Sequence, residues 1–301
     1  MIKVEDLKLL DTFIWVGTGE ECAKRHFANQ STVSRKNSAT LKLLDLNLER
    51  NANSDWEILG DTRLLEMERK VHQYYRYISE KECLRLEATP WAGPTLATAA
   101  PHNWIHGIWN HIGMKRPLYL LKKRIIDAWI GSYAPDMPSK KNPDFTVIDL
   151  CQTPVYLVAS KGHPLTKSTS VAREDLVDFP SLSLPSGVFP KTENILRSHG
   201  LWSTSARMKK YKPEKWEGRT QDNSTLCYAT CLGLETMGEL EKINYDLGLI
   251  SGESLVVLKE FANEEKILQL LKNLQHRVME KSRIHPDLLP CFNPTLALPF
   301  H

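Results

Sequence analysis

The chain has 301 residues, 42% hydrophobic and 25% charged, with a formal net charge of +3. That length supports two or three domains with a sizeable core, and that composition excludes a disordered, collagen-like or low-complexity chain. No apolar run approaches the ~20 residues of a membrane span, and so balanced a charge requires any nucleic-acid binding to come from local placement.

Leu7, Leu10, Phe13 and Ile14 fall at helical spacing and predict a first amphipathic helix over residues 4–16, ended by Gly17. Thr18-Gly19-Glu20-Glu21 fits a capping box for a second helix, Glu20 to Phe27. It stops at Ala28-Asn29, and a third helix starts at Gln30-Ser31-Thr32. Residues 22–44 hold Lys24, Arg25, Arg35, Lys36 and Lys42 without one Asp or Glu. A basic island with helix-turn-helix grammar suits phosphate contact, and Gln, Ser and Thr at a helix start reach base edges and phosphates in a major groove. The plain alternative is a solvated basic helix pair on another fold. Residues 45–60 predict two short strands around an Asn/Ser/Asp turn, a wing whose tip carries Arg50 and Asn51.

Residues 61–82 contain no Gly or Pro, and Leu64, Leu65, Val71, Tyr74, Tyr75 and Ile78 form an apolar side. Such a stripe on a charged helix predicts a linker helix that dimerises, or one packed on its own domain. Beyond it, strands and helices alternate, as in an α/β architecture. Strands are expected at Leu84–Ala88, Ile125–Gly131, Pro154–Ser160, Ser181–Leu184 and Ser254–Leu258. Helices are expected at Lys191–His199, from Asp222-Asn223-Ser224 to Gly233, and over 263–282.

The six cysteines, at 22, 83, 151, 227, 231 and 291, show no zinc spacing. They read as buried small hydrophobes, with Cys227 and Cys231 (i,i+4 on one expected helix) as a possible redox pair. His102, His106 and His111 sit among Trp104 and Trp109 without nearby acids, a weak metal pattern. No metal or cofactor is expected. The N-terminus MIKVEDLKLL carries acids and lacks a long apolar region, so the expectation is a cytoplasmic protein.

The order of these parts resembles the LysR-type transcriptional regulators. The likeness rests on Gln30-Ser31-Thr32-Val33-Ser34-Arg35, the linker helix, IIDAWIG, VYLVASKGHPL and EDLVDFPSLSLPSGV. It implies an α+β, multidomain chain. An N-terminal winged helix-turn-helix (1–60) precedes a long linker helix (61–82). A C-terminal two-lobed α/β domain like type 2 periplasmic binding proteins (83–301) follows, with lobe I at about 83–150 and 252–301 and lobe II at about 151–251. It also implies a homodimer through 61–82 or a homotetramer, acting on double-stranded promoter DNA with a small-molecule effector.

Carried over residue by residue, Gln30, Ser31, Thr32, Ser34 and Arg35 match the recognition helix, with Lys36 a phosphate contact and Arg50 the wing arginine. The sequence departs from the family where Asn37 and Thr40 stand at apolar positions and Asp45 replaces a glycine. Residues 96–130 also run short. In such a domain, ligands bind where strand ends and helix starts face the crevice. Thr89, Trp91, Ser186, Gly187, Ser224 and Thr225 are the candidate effector residues, with hydroxyls and helix-start N–H groups suited to an anion. Each is also an ordinary cap or turn former.

The functional expectation is a sequence-specific DNA-binding regulator modulated by a small-molecule effector, for which an anion is one candidate. The alternatives are an effector-less or DNA-binding-defective interaction protein of the same fold, or a small-molecule binding protein. No P-loop, GxGxxG, GxSxG or HExxH pattern supports an enzyme.

Overall fold

The computed structural model describes residues 2–51, 54–183, 187–202, 204–205 and 223–292. They divide into two units. The first gathers residues 1–87, 102–108 and 117–128, and the second gathers 88–101, 109–116 and 129–301.

In the first unit, α1 (Val4–Val16) is closed by Gly17, whose φ of 79° lets its N–H reach Phe13 O. Thr18 caps α2 (Gly19–Arg25) by accepting the Glu21 N–H at 3.3 Å. α3 (Gln30–Leu43) packs Val33 against Leu9, Val16, Cys22 and Ala23. Asp45 supplies the left-handed turn (φ 53°) that a glycine would otherwise fill. The wing follows as antiparallel β1 (Asn47–Arg50) and β2 (Trp56–Leu59), with Arg50 opposite Trp56. The expected helix-turn-helix and wing are therefore present. Leu41 takes a core position, but Asn37 and Thr40 are buried beside it. Thr40 satisfies its hydroxyl on Lys36 O at 3.0 Å. Asn37 is 4% exposed and its amide N and O have no partner among the described residues.

The linker helix, α4 (Arg63–Ile78), is shorter than the expected 61–82, because Ser79 turns extended. Its apolar side splits. Leu65 is buried, whereas Leu64, Met67, Val71, Tyr74, Tyr75 and Ile78 are exposed. The face turned into its own unit is polar: Arg69, Gln73 and Arg76 are buried. Arg69 Nε donates to Asp11 of α1 at 2.8 Å. Gln73 Nε2 (2.9 Å), Arg76 Nη2 (2.8 Å) and the Arg85 backbone N–H (2.9 Å) all donate to Asp127. Arg85 belongs to β3 (Leu84–Ala88), which pairs in parallel with β4 (Trp104–His106). Burial pushes the Arg85 guanidinium down to about 10, Arg76 adds to the drop, and Asp11 and Asp127 oppose it.

The second unit begins with α5 (Ala92–Thr95); α6 (Lys115–Lys122) straddles the division. Its four-strand run is β13 (Leu289–Pro290), β6 (Phe145–Pro154), β12 (Ile250–Leu258) and β5 (Ala128–Ser132) in that order. β6 and β12 form a long antiparallel ladder from Phe145↔Leu258 to Pro154↔Ile250, with a register shift between Glu253 and Ser254. A smaller antiparallel sheet places β7 (Tyr156–Ser160) between β10 (Cys227–Ala229) and β11 (Leu240–Lys242). Its core includes Leu157, Leu182, Phe189, Leu196, Trp202 and Leu226. β8 (Leu182–Ser183) pairs in parallel with β9 (Thr204–Ser205). Asp136 caps α7 (Pro190–Ser198), accepting the Lys191 and Thr192 N–H groups at 2.8 and 3.0 Å. α8 (Cys231–Leu234) is one turn, and α9 (Glu265–Ile284) buries Ile267, Leu270, Leu274 and Val278 at i, i+3, i+7 and i+11.

Three expectations need correction. Residues 223–233 are not one helix, because Cys227–Ala229 pairs with β7 and only Cys231–Leu234 is helical. Cys227 and Cys231 thus share no helix face. The strand expected at Ile125–Gly131 starts at Ala128, since Ile125–Asp127 turn inward to serve Arg85 and Arg76. Pro154 closes β6 rather than opening β7. β4 lies within the short stretch 96–130, ahead of the strand expected at Ile125.

Candidate functional site

The DNA-binding candidates other than Arg50 occupy one helix start. On α3, Gln30, Ser31, Ser34, Arg35 and Lys36 are exposed and Thr32 is half-buried. Arg35 makes no hydrogen bond or ion pair among the described residues, so its guanidinium is available to an outside anion. Lys36 Nζ pairs with Asp6 at 3.0 Å, an exposed contact that a phosphate can replace. Gln30 folds partly over Gly19, where an added Cβ would sit 3.0 Å from its Cγ.

Arg50 is placed differently from its expected wing-tip role. Its guanidinium donates to Gly17 O at 3.1 Å and to Ser54 O at 2.5 Å, and lies 4.2 Å from the Trp56 ring centroid. Trp56 in turn donates to Gly17 O at 3.0 Å and stands 5.1 Å from Phe13. Arg50 therefore tethers the wing to the turn after α1. Between α3 and the wing runs a groove of about 770 Å³, lined by Gln30, Ser34, Asn37, Ser38, Lys42 and Arg50 among others. His26 adds no charge to this surface: burial, then Arg85 and Lys8, push it down to about 4.

The effector candidates do not converge on one place. Thr89 and Trp91, just past β3, meet Ser132 and Tyr133 at the end of β5 and Glu253 of β12. The Thr89 N–H binds Ile130 O at 3.1 Å, fixing the loop beside β5. Thr89 Oγ1 and Ser132 Oγ lie 2.6 Å apart, and Ser132 Oγ donates to Glu253 Oε2 at 2.6 Å. Trp91 meets the Tyr133 ring edge-on at 5.7 Å, and Tyr133 holds a left-handed φ of 64°. Burial raises the Glu253 carboxyl to about 7, against the lowering effect of the Ser132 hydrogen bond. Trp91, Ser132, Tyr133, Tyr228, Thr230 and Glu253 line a remaining cavity of about 10 Å³.

Ser224 and Thr225 do not line this cavity and do not start a helix; they precede an isolated bridge, Leu226 to Ser181. Gly187 is exposed, with its N–H on Glu193 at 3.2 Å. Ser186 lies outside the described residues. Among those residues, no group of three or more His, Cys, Asp or Glu is placed to hold a metal ion, and no helix is long and apolar enough to cross a membrane.

Ser132 and Glu253 escaped the sequence reading. An acid inside the apolar run SGESLVVL was the available signal. An acid in IIDAWIG likewise marked Asp127.

Comparison with known proteins gives matching findings. The family model described as LysR substrate binding domain matches residues 112–208. No curated protein matches the chain in sequence. A full-length OxyR variant from Pseudomonas aeruginosa aligns with a TM-score of 0.55 and 14% identity, covering 91% of this chain and 95% of that one. An OxyR variant from Corynebacterium glutamicum aligns with a TM-score of 0.53 and 15% identity, over 94% of each chain. CbnR, a LysR family transcriptional regulator, aligns in complex with its target DNA with a TM-score of 0.52 and 14% identity, over 92% of this chain and 100% of that one. At such identities these likenesses show a shared fold.

Proposed function

For a chain of the LysR family, by the substrate-binding domain it carries and the full-length fold it shares, we propose a sequence-specific DNA-binding transcriptional regulator of the cytoplasm. Its promoter binding is modulated by a small molecule in the C-terminal domain. The observation that carries the reading is Arg35: exposed, unpaired among the described residues, and set beside Ser31 and Ser34 on the exposed face of α3. Ser31 and Thr32 enter the major groove, Arg35 and Lys36 hold phosphates, and Arg50 sets the wing. Thr89 and Trp91 belong to the effector cleft.

The chain acts as a homodimer through α4. Leu64, Met67, Val71, Tyr74 and Ile78 recur three and four residues apart and are all exposed, the pattern of a coiled-coil seam. Two copies of that seam would bury each other and set the spacing of paired recognition helices on a two-fold operator.

The test is duplex binding by the full chain at two salt concentrations, with Arg35→Ala alongside. The proposal expects binding that weakens steeply with salt, a sequence-selective remainder, and a broad loss with Arg35→Ala. Absence of binding at low salt removes the reading. One observation favours the second reading, a DNA-binding-defective interaction protein: Lys36 and Arg50 already have partners within their own domain.

A further inference from the structure

A buried carboxyl needs a reason, and Glu253, 1% exposed, has the least exposed one among the described residues of the second unit. It sits on a central strand, 1% exposed, at the register shift where Glu253 pairs with Cys151 but Ser254 pairs with Asp149. Such a bulge re-aims a side chain. Its carboxylate is aimed at hydroxyls. The Ala92 N–H donates to Thr89 Oγ1 at 3.3 Å, Thr89 and Ser132 share a 2.6 Å contact, and Ser132 donates to Glu253 at 2.6 Å. Donors therefore run in one direction, from a backbone N–H through two hydroxyls to one carboxylate oxygen. That is the arrangement an incoming organic anion would require.

The place is already taken. The remaining space, about 10 Å³, has room for roughly one water. The described residues lining it include Trp91, Ser132, Tyr133, Tyr228, Thr230 and Glu253, with no Lys, Arg or His among them. A second carboxyl group would compete with the first for one donor in a poorly solvated site, with no cation among the described lining residues to balance it, which disfavours its entry.

We infer that Glu253 is the resident carboxyl group of the cleft: it takes the end of the Thr89–Ser132 donor chain, closes the native site to carboxylate ligands, and restricts any effector of that site to neutral or cationic molecules. The inference rests on the reading of the C-terminal part as an effector domain, and it replaces the anionic candidate drawn from sequence. It makes the donor set a receptor for small carboxylates only once the protein's own carboxyl is removed.

The experiment is chemical rescue in the full-length chain. Wild type and Glu253→Ala are melted with increasing acetate or propionate, with chloride and acetamide as controls. The expected result is a saturable rise in the melting temperature of E253A with either carboxylate, no rise with acetamide, and no carboxylate-specific shift in wild type. A folded E253A that ignores both carboxylates overturns the inference. A saturable carboxylate shift in wild type also overturns it, while leaving the effector reading standing. DNA binding measured on the same samples reports on the regulator reading separately.

If E253A does not fold, carbon-detected titration of Glu253 in wild type and Ser132→Ala decides. Loss of the Ser132 donor must raise the Glu253 midpoint, because the bond favours the charged form. An unchanged midpoint means that Ser132 does not hold the carboxylate, and the inference falls.

Discussion

Trp15, in the first helix of the helix-turn-helix head, donates its indole N–H to the Glu87 carboxylate at 2.7 Å, across 72 positions of chain. Both side chains are nearly inaccessible. Glu87 lies on β3 beside Arg85, which stands 3.7 Å from Asp11 of the same first helix. The head, the linker helix and the first strand after it are therefore tied through a charged interior. Head-to-linker autonomy, natural for a domain followed by a hinge, is not what these residues build.

A fragment ending at residue 82 keeps Asp11 and Arg69 but lacks Arg85, Glu87 and Asp127. It leaves Trp15, Gln73 and Arg76 without their partners. Its helices should melt well below the full chain, or without a cooperative transition, in circular dichroism. Within the full chain, Trp15→Phe removes one bond to a charged group and should cost about 1.5–3 kcal/mol in urea unfolding. A fragment that melts cooperatively at the temperature of the intact protein would show that the ties contribute nothing.

Asp127 carries more of the load. Gln73, Arg76 and the Arg85 N–H converge on it, and it is 1% exposed. Asp127→Ala strands buried donors and a buried cation, a change that costs about 3–5 kcal/mol where a buried pair is broken. The urea midpoint should fall with little change in the slope. A loss under about 1 kcal/mol would indicate that water reaches Arg76 and replaces the carboxylate.

Local signals were readable and distant ones were not. Helices α1 to α3 follow from periodicity, Gly17 and the Thr18 cap, all set within a few residues. The strand Leu84–Ala88 was legible from the alternation of Leu84, Leu86 and Ala88 with Arg85 and Glu87. β6 was missed because Asp149 and Gln152 interrupt its apolar character. It becomes a strand through pairing with β12, a hundred positions away. The false helix from Asp222 came from residues that look like a cap, while Cys227–Ala229 is recruited by β7. At the cleft, Thr89 and Trp91 were visible as a strand end, but Ser132 and Glu253 lie 121 positions apart and meet only in the fold. On α4 the side that carries Arg69, Gln73 and Arg76 gave no sign of burial, because nothing local reveals that Asp11 and Asp127 face it.

Asn37 marks a soft spot in the head. Its side chain is 4% exposed and both amide atoms lack partners among the described residues. Burying an amide unpaired costs about 1–3 kcal/mol. The groove beside it has room for a larger apolar side chain. Asn37→Leu should therefore stabilise the protein by about 1–2 kcal/mol, read as a higher urea midpoint. A loss of stability would mean that the amide is satisfied by bound water or ligand in solution.

The Glu253 carboxyl links stability to pH with a definite sign. It is buried, with Ser132 its hydroxyl donor, Tyr133 and Tyr228 lining the same cavity, and Cys151 opposite it on β6. Burial lifts its folded value from 4.5 to about 7. The folded chain thus holds a proton that the unfolded chain releases between those values, so this group's contribution to stability is complete below about 4.5 and lost as pH rises to about 7. The full difference is about 3 kcal/mol. Glu253→Gln removes the titration while keeping the shape. Relative to wild type, the variant should gain stability between pH 5 and pH 8 and reach a plateau above pH 7. A difference between the two proteins that stays flat over that range would place the folded carboxyl near its ordinary value and require solvent to reach it.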